Sequence, residues 1–396
     1  MRIAFLLGAG TSRPAAMLST PKITETILSG AGVMKQSGNY HFGAPTYAHM
    51  GQPDEHVPKL AKFLGILRQE IEENFGDWRK KPVNYEDLYY VAAQISDDDA
   101  GEFENPVILP FVREISPKVE SQIKAEPWDI RRNWGVSVLA RETVDYISDV
   151  VWASLCSKPS RLDHLRMVTG ASRDGAITGV DIFTLNHDTV IEQVLREEGL
   201  KFIEGLGPQS GELRRWDPTL YDGEAEKVRL LKLHGSVDWF RIRQSEAKQI
   251  TEFTATLGKT TDFPYLRDGD GRLLEAIARR PLILIGTFNK MLRYTSGVYA
   301  DVFFRFYRDL EKANALVISG YGFGDKGVNS RIIEWVFGDT SRKVIIVDPC
   351  MDGLREQARQ AISRAWLRLR NERRLIEIPH GVEETSWEEV RSFLTV

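Results

Sequence analysis

Polar side chains able to act on a ligand gather in short clusters, each placed directly after an apolar run. The first is Gly8-Ala9-Gly10-Thr11-Ser12. Glycines at a strand end let the backbone approach a pyrophosphate while amides and hydroxyls donate to it, and the same residues suit a tight strand-to-helix turn. Arg13 stands where the third glycine of the full dinucleotide fingerprint would fall, and the chain has no Walker A loop, which argues against a P-loop nucleoside triphosphatase. A second cluster, Thr184-Leu185-Asn186-His187-Asp188, sets three polar side chains where ligands bind in an α/β sheet, although Asn186 or Asp188 would equally cap a helix over Thr189–Glu197. A third, Lys232-Leu233-His234-Gly235-Ser236, brings an imidazole to the same edge. With an ordinary pKa near about 6.5, His234 suits general base work near neutrality.

Two further strand ends point the same way. Gly320-Tyr321-Gly322-Phe323-Gly324-Asp325 allows close passage of a nucleotide backbone, with Gly320 and Gly322 as the candidate contacts. Asp348, before Pro349, is placed to meet a ribose or adenine, or to cap the next helix.

The elements that must position these groups alternate between apolar β-branched runs and helical periodicity, the pattern of a layered α/β fold. Arg2–Leu7, Asp181–Leu185, Arg229–Leu233, Pro281–Ile285 with Ala315–Ser319 as its neighbour, and Lys343–Val347 read as buried parallel strands, because both faces of such a sheet are covered. The expected architecture is a Rossmann-like parallel sheet with a large, mostly helical insertion. Residues 1–40 and 175–396 would form the discontinuous nucleotide-binding domain and 41–174 the insertion. Within the latter, Val57–Phe75, Tyr85–Ile95 behind an Asn84 cap, Val136–Leu155 and Leu162–Val168 read as helices. Trp78, Tyr85, Tyr89, Tyr90, Trp128, Trp134 and Trp152 are residue types that fill either a small core or an interface. Arg241–Arg280, with Gly258, Pro264, Gly269 and Gly271, reads as a loop-rich insertion.

Composition narrows the class. The 396 residues are 42% hydrophobic and 27% charged, and 52 Lys and Arg oppose 56 Asp and Glu for a net charge of −4. Such a balance supports a buried core and disfavours direct nucleic-acid binding or an anionic membrane as partner. Cys156 and Cys350 can form neither a disulfide framework nor a four-thiolate zinc site. The apolar run Ile3–Leu7 is shorter than the roughly 7 residues an export signal needs, and no stretch reaches the roughly 18 apolar residues of a membrane span, so a soluble, cytoplasmic protein is expected.

In order, GAGTS, TLNHD, KLHGS, GYGFGD and VDP resemble the sirtuin family, NAD-consuming enzymes on a Rossmann-like sheet. The resemblance covers Met1 to about Leu28 and Asp181 to about Ala358. It implies that Gly8, Ala9, Gly10 and Ser12 line a phosphate loop, that Thr184, Asn186 and Asp188 lie beside the nicotinamide ribose, and that His234 is the catalytic histidine. Deacetylase sirtuins carry paired CxxC zinc ligands after that histidine and a GIPDFR-like segment after the glycine loop; this chain has neither. The pattern looks more like the zinc-free, sirtuin-like NADases of bacterial antiviral defence, which carry long helical insertions. That likeness implies NAD as substrate, no zinc, a homo-oligomer, and a partner such as a HerA-type hexameric ATPase or an Argonaute-like protein. The 49 residues after Val347 are too few for a fused sensor domain.

The chemistry so implied is cleavage of the nicotinamide–ribose bond of NAD, with Asn186 orienting water and a ribose hydroxyl, Asp188 supporting the developing positive charge, and His234 as base. An NAD-dependent protein deacylase and a non-catalytic nucleotide-binding scaffold are the alternatives.

Overall fold

The computed structural model describes residues 1–36, 38–43, 56–75, 82–102, 105–123, 134–223, 226–246, 249–257, 266–286 and 289–394. In chain order the elements begin with β1 (Arg2–Leu7), α1 (Thr20–Ser29), β2 (Val33–Gln36), β3 (Asn39–Phe42), α2 (His56–Phe75), α3 (Tyr85–Asp99), α4 (Ile108–Gln122) and α5 (Val136–Leu155). There follow α6 (Arg166–Arg173), β4 (Gly179–Thr184), α7 (Val190–Glu197), β5 (Phe202–Ile203), β6 (Leu206–Ser210), β7 (Leu213–Trp216), β8 (Val228–Lys232), β9 (Trp239–Glu246), β10 (Gln249–Leu257) and β11 (Leu274–Ala276). The last are α8 (Asn289–Arg293), α9 (Gly297–Leu310), β12 (Ala315–Ser319), α10 (Lys326–Gly338), β13 (Lys343–Val347), α11 (Met351–Gln357), α12 (Gln360–Asn371), β14 (Leu375–Ile378) and α13 (Trp387–Ser392).

These elements form two compact units, one of residues 1–17, 157–284 and 290–396, the other of residues 18–156 and 285–289. In the first, a parallel sheet runs in the order β14-β13-β12-β1-β4-β8-β5. Its strands β1, β4, β12 and β13 are almost wholly buried, as the apolar runs require when helices cover both faces. From β1 the chain builds outward through β4 and β8, then returns to build β12, β13 and β14 on the other side. Setting aside the two-residue β5, which precedes β8 in the chain but pairs on its outer side, that is the doubly wound Rossmann order, and it places the topological switch between β1 and β12. The core on one side of the sheet joins Leu6 and Phe183 to Phe306, Trp335 and Trp366.

Asp181 interrupts the apolar run of β4 and is fully buried. Arg2 of β1 donates to it at 2.6 and 3.0 Å and Arg229 of β8 at 2.6 Å, so a carboxylate is clamped across three adjacent strands by two guanidinium groups. This pairing offsets the cost of a charge that would otherwise be untenable in the sheet.

Three expectations are corrected. Pro281–Ile285 is not a strand of the parallel sheet; Pro281 has no amide to give to a ladder, and the segment instead runs antiparallel beside the chain after β8, bridging Gly235 to Ile283. Arg241–Arg280 is not mainly loop, because β9 and β10 pair over Trp239–Thr256 within a five-stranded antiparallel sheet ordered β11-β9-β10-β7-β6. The β-branched and aromatic residues of these strands outweigh the glycines and Pro264, which fall beyond β10. The helix expected at Leu162–Val168 starts only at Arg166.

The second unit consists of α1–α5 and the β2–β3 hairpin. It is bounded at 18 and 156, where the sequence suggests 41 and 174, and α6 groups with the sheet. Asn84 caps α3 as its spacing implies, accepting from the Glu86 amide at 2.8 Å while the Asp87 carboxylate accepts from the Asn84 amide at 3.0 Å. Buried acids on α5 hold the hairpin: Glu142 accepts from Lys35 and from the Tyr40 hydroxyl at 2.7 Å, and Asp149 from the Tyr40 amide at 2.8 Å. Of the aromatic set, Tyr85 and Trp134 are buried and Tyr89, Tyr90 and Trp152 half-buried, while Trp78 and Trp128 lie outside the described residues.

Candidate functional site

Every cluster singled out in the sequence sits at the carboxyl edge of the parallel sheet, and all of them belong to the first unit. At the switch point the two glycine loops pack backbone against backbone. Gly10 donates its amide to the Gly320 carbonyl at 2.9 Å and Gly8 donates to Ser319 at 2.9 Å. A methyl group on Gly8 or Gly10 would lie 2.5 Å from Gly320, and one on Gly320, whose φ is +64°, would lie 2.4 Å from the Thr11 nitrogen. These three glycines are therefore required by loop-to-loop contact. Gly322 differs: it is exposed, and a methyl group there meets nothing within 4 Å. Ala9 is exposed at the tip of the first loop. After Gly8 the chain forms a short 3₁₀ turn over Ala9–Ser12, and α1 starts only at Thr20, so no α-helix N-terminus follows β1 directly.

Asn186 does not cap α7. Its Nδ2 donates to the Ser12 hydroxyl at 2.9 Å and to Thr11 at 3.3 Å, which ties the end of β4 to the glycine loop. Thr184 secures the same corner, donating to the Leu7 carbonyl at 3.2 Å and accepting from the Asn186 amide at 3.1 Å. Asp188 accepts from the Val190 amide at 3.0 Å at the entry to α7, while its carbonyl accepts from Lys232. Lys232, wholly inside, also donates to Glu192 at 2.8 Å. Burial pushes the Glu192 carboxyl up to about 7, against the pull of Lys232. Asp348 accepts from the Cys350 amide at 2.8 Å in the turn after β13.

His234 is buried, and the backbone around it is fixed by the 281–285 segment. Leu284 donates to the His234 carbonyl and Ser236 to the Leu282 carbonyl, each at 2.9 Å. Its Nε2 lies 2.7 Å from the Tyr294 hydroxyl and 3.1 Å from Asp325 Oδ2, and the same hydroxyl lies 2.7 Å from Oδ2. Burial of Asp325 favours its neutral form, but hydrogen bonding and charge from His234, the Lys290 charge and the Tyr294 bond prevail and hold the carboxyl well below the usual carboxylate range. The His187 ring lies 6.1 Å from that of His234. Burial, then the charges of His234, Lys290 and Lys232, push His187 well below the ordinary histidine value.

Two buried polar atoms on neighbouring residues, Asn186 Oδ1 and His187 Nδ1, have no hydrogen-bond partner. They are two of ten such side-chain atoms among the described residues, and of these they lie nearest the strand-end clusters, where a further polar atom would satisfy them. Thr11, His187 and Asp325, which stand in the sequence clusters without a role of their own, and Tyr294 and His164, which the sequence does not single out, are thus part of the surroundings. His164 holds the glycine loop through Nε2, 2.9 Å from the Thr11 carbonyl. Asp325 was detectable as the acid closing the GYGFGD cluster and His187 as a second imidazole inside TLNHD; Tyr294 and His164 have no local signal. Among the described residues no group of three or more His, Cys, Asp or Glu side chains could hold a metal ion, and no helix is long and apolar enough to cross a membrane.

Residues 180–371 match the family model of the SIR2-like domain. That stretch runs from β4 to the end of α12 and contains TLNHD, KLHGS, GYGFGD and VDP, with the GAGTS loop outside it. No curated protein matches the chain. Among solved structures, a mutant Sir2 homologue in complex with ADP-ribose is 12% identical, with 99% of this chain and 91% of that one covered and a TM-score of 0.38. A Sir2 homologue triple mutant with 2′-O-acetyl-ADP-ribose is 13% identical over 100% and 94%, at 0.38. A Sir2 homologue–NAD complex is 12% identical over 99% and 89%, at 0.38.

Proposed function

We propose that this protein hydrolyses NAD at the bond between nicotinamide and ribose, releasing nicotinamide, ADP-ribose and a proton. The observation that carries the reading is the gathering of Asn186, His187 and the buried His234 at the carboxyl edge of a doubly wound sheet, with the His187 and His234 rings 6.1 Å apart. The match to the SIR2-like domain supports NAD as the nucleotide.

The bond electrons leave with nicotinamide, which neutralises its pyridinium and leaves an oxocarbenium-like ribose. Such a reaction needs orientation and a positioned water more than a strong nucleophile. Asn186, held through Nδ2 by Ser12 and Thr11, presents Oδ1 as acceptor to a ribose hydroxyl or to the water. His234 takes the proton released when water adds to the ribose carbon. Asp188, buried two residues after Asn186, supports the positive charge that develops on the sugar. The ribose and phosphates lie along the glycine loops, with Gly8, Ala9, Gly10, Ser12, Thr184, Gly320, Gly322 and Asp348 as the residues concerned. On the resemblance stated above, NAD depletion would serve antiviral defence in a homo-oligomer or beside a partner ATPase, with the helical unit as the contact surface.

Incubation with NAD, alone and with an acetylated peptide, tests the reaction. Release of nicotinamide and ADP-ribose without peptide is expected. Turnover only with peptide would indicate a deacylase, and tight binding of ADP-ribose with no turnover in either arm would indicate a scaffold.

A further inference from the structure

The triangle formed by His234, Tyr294 and Asp325 has a consequence for which ring nitrogen does the work. A carboxylate offers only acceptor atoms, so Nε2 of His234, 3.1 Å from Asp325 Oδ2, must carry a hydrogen. The Tyr294 hydroxyl, 2.7 Å from the same Oδ2, donates its single proton there and leaves its oxygen to accept from Nε2–H at 2.7 Å. All three contacts are satisfied in this arrangement and not in the opposite tautomer, which would set a lone pair of Nε2 against the carboxylate.

Both partners are well fixed. Asp325 Oδ1 accepts from the Val328 amide at 3.1 Å at the start of α10, and its own amide and carbonyl both meet the Tyr321 hydroxyl at 3.1 Å. The Tyr294 ring stacks on Phe303 with centroids 3.9 Å apart and planes inclined by 7°. Neither residue can swing away without breaking a packed contact or the bond to the Val328 amide.

We infer that Asp325 and Tyr294 are positioning residues that lock neutral His234 in its Nε2–H tautomer, so that Nδ1 is the nitrogen that accepts the proton in the reaction. The inference rests on the hydrolase reading for its consequence, but the tautomer itself does not depend on any substrate. Asp325 thus acts through the ring and does not touch the reacting atoms.

Nitrogen-15 NMR of histidine-labelled protein, with the resonance assigned by His234→Gln, reads the tautomer directly. A protonated Nε2 and an unprotonated Nδ1 in the neutral ring are expected; a protonated Nδ1 overturns the inference whether or not NAD is cleaved. Asp325→Asn keeps an oxygen for the Val328 amide but can turn a donor toward Nε2. It should reverse the tautomer and lower kcat by about 10²- to 10⁴-fold with little change in KM, the pattern of a misplaced proton. Unchanged kcat in a folded Asp325→Asn protein that still cleaves NAD overturns the role assigned to Asp325. Should that variant fail to fold, Tyr294→Phe removes one acceptor of Nε2 and should lower kcat by about 2- to 10-fold. A correct tautomer in a protein that never cleaves NAD would refute the hydrolase reading and leave this one standing.

Discussion

Gly320 and Gly322 stand two residues apart in one cluster, and the structure assigns them opposite roles that two alanine substitutions separate. At Gly320 the backbone is left-handed, with φ +64°, which costs an alanine about 1–2 kcal/mol. The new methyl would sit 2.4 Å from the Thr11 nitrogen and 2.7 Å from Gly10, so the two loops must part by roughly 1 Å to reach ordinary contact. Overpacking of this kind costs about 1–3 kcal/mol. Parting the loops also strains the 2.9 Å hydrogen bond from Gly10 to Gly320, worth about 1 kcal/mol. Gly320→Ala should therefore destabilise the sheet unit by about 3–6 kcal/mol. Gly322→Ala meets open space and should change stability by no more than about 0.5 kcal/mol, while weakening ADP-ribose binding if the nucleotide passes there. Urea unfolding of the full chain gives the magnitudes, and hydrogen exchange of the β1 and β12 amides localises the loss. A Gly320→Ala protein within about 1 kcal/mol of the parent, or a Gly322→Ala protein as unstable as Gly320→Ala, would refute the assignment of the loop contact.

Other substitutions probe the same framework. Asp181→Ala takes the 2.6 Å carboxylate from buried Arg229, leaving it only Asp309 at 3.4 Å, and should cost about 2–4 kcal/mol in urea unfolding; a loss under about 1 kcal/mol would show that the clamp is not the determinant. His234→Ala should lower NAD cleavage by about 10²- to 10⁴-fold, measured as nicotinamide release, and near-parental activity would exclude His234 as the base. Asn186→Ala should abolish cleavage and also cost about 1–2 kcal/mol, because its bonds to Ser12 and Thr11 join two strand ends; unfolding curves matching the parent would contradict that tether. Hydrogen bonds from Arg305 and Arg308 hold Asp222 below its ordinary 3.8, while Asp309 is held below 3.8 by Lys312, Arg229 and Arg308 against its burial. A depressed folded pKa stabilises above the unfolded value and is lost as pH falls through the folded one. Melting temperature should therefore drop as pH is lowered from about 4 toward 2, and Asp222→Asn should flatten the curve; an Asp222→Asn profile as steep as the parent's would exclude that contribution.

The parallel strands could be read from sequence because burial on both faces leaves an unbroken apolar run, and β1, β12 and β13 keep the expected limits. The placement of TLNHD, KLHGS and GYGFGD was readable for a related reason, since ligand groups in such a sheet gather where strands end. The short edge strands β5 and β14 are not legible in the sequence; a strand of two residues carries no period, and the four residues of β14, buried only at its two ends, show neither an apolar run nor alternation. Pro281–Ile285 misled because an apolar run states only that a segment is buried, and not which neighbour covers it.

Tertiary structure alone decided what the polar residues do for one another. Asn186 had two local readings, a cap or a ligand contact, and the choice rests on Ser12 and Thr11, brought alongside by the pairing of β1 with β4. His234 and Asp325 are 91 residues apart, and their pairing with Tyr294 depends on where the chain after β11 is laid against β8. Even the glycines changed meaning: composition marks Gly8, Gly10, Gly320 and Gly322 alike, yet the first three answer to a contact between loops on adjacent strands, and Gly322 faces open space. The sequence determines which groups reach the sheet edge because strand burial is local and repetitive. The hydrogen bonds among those groups are non-local, and only the packed strand order fixes them.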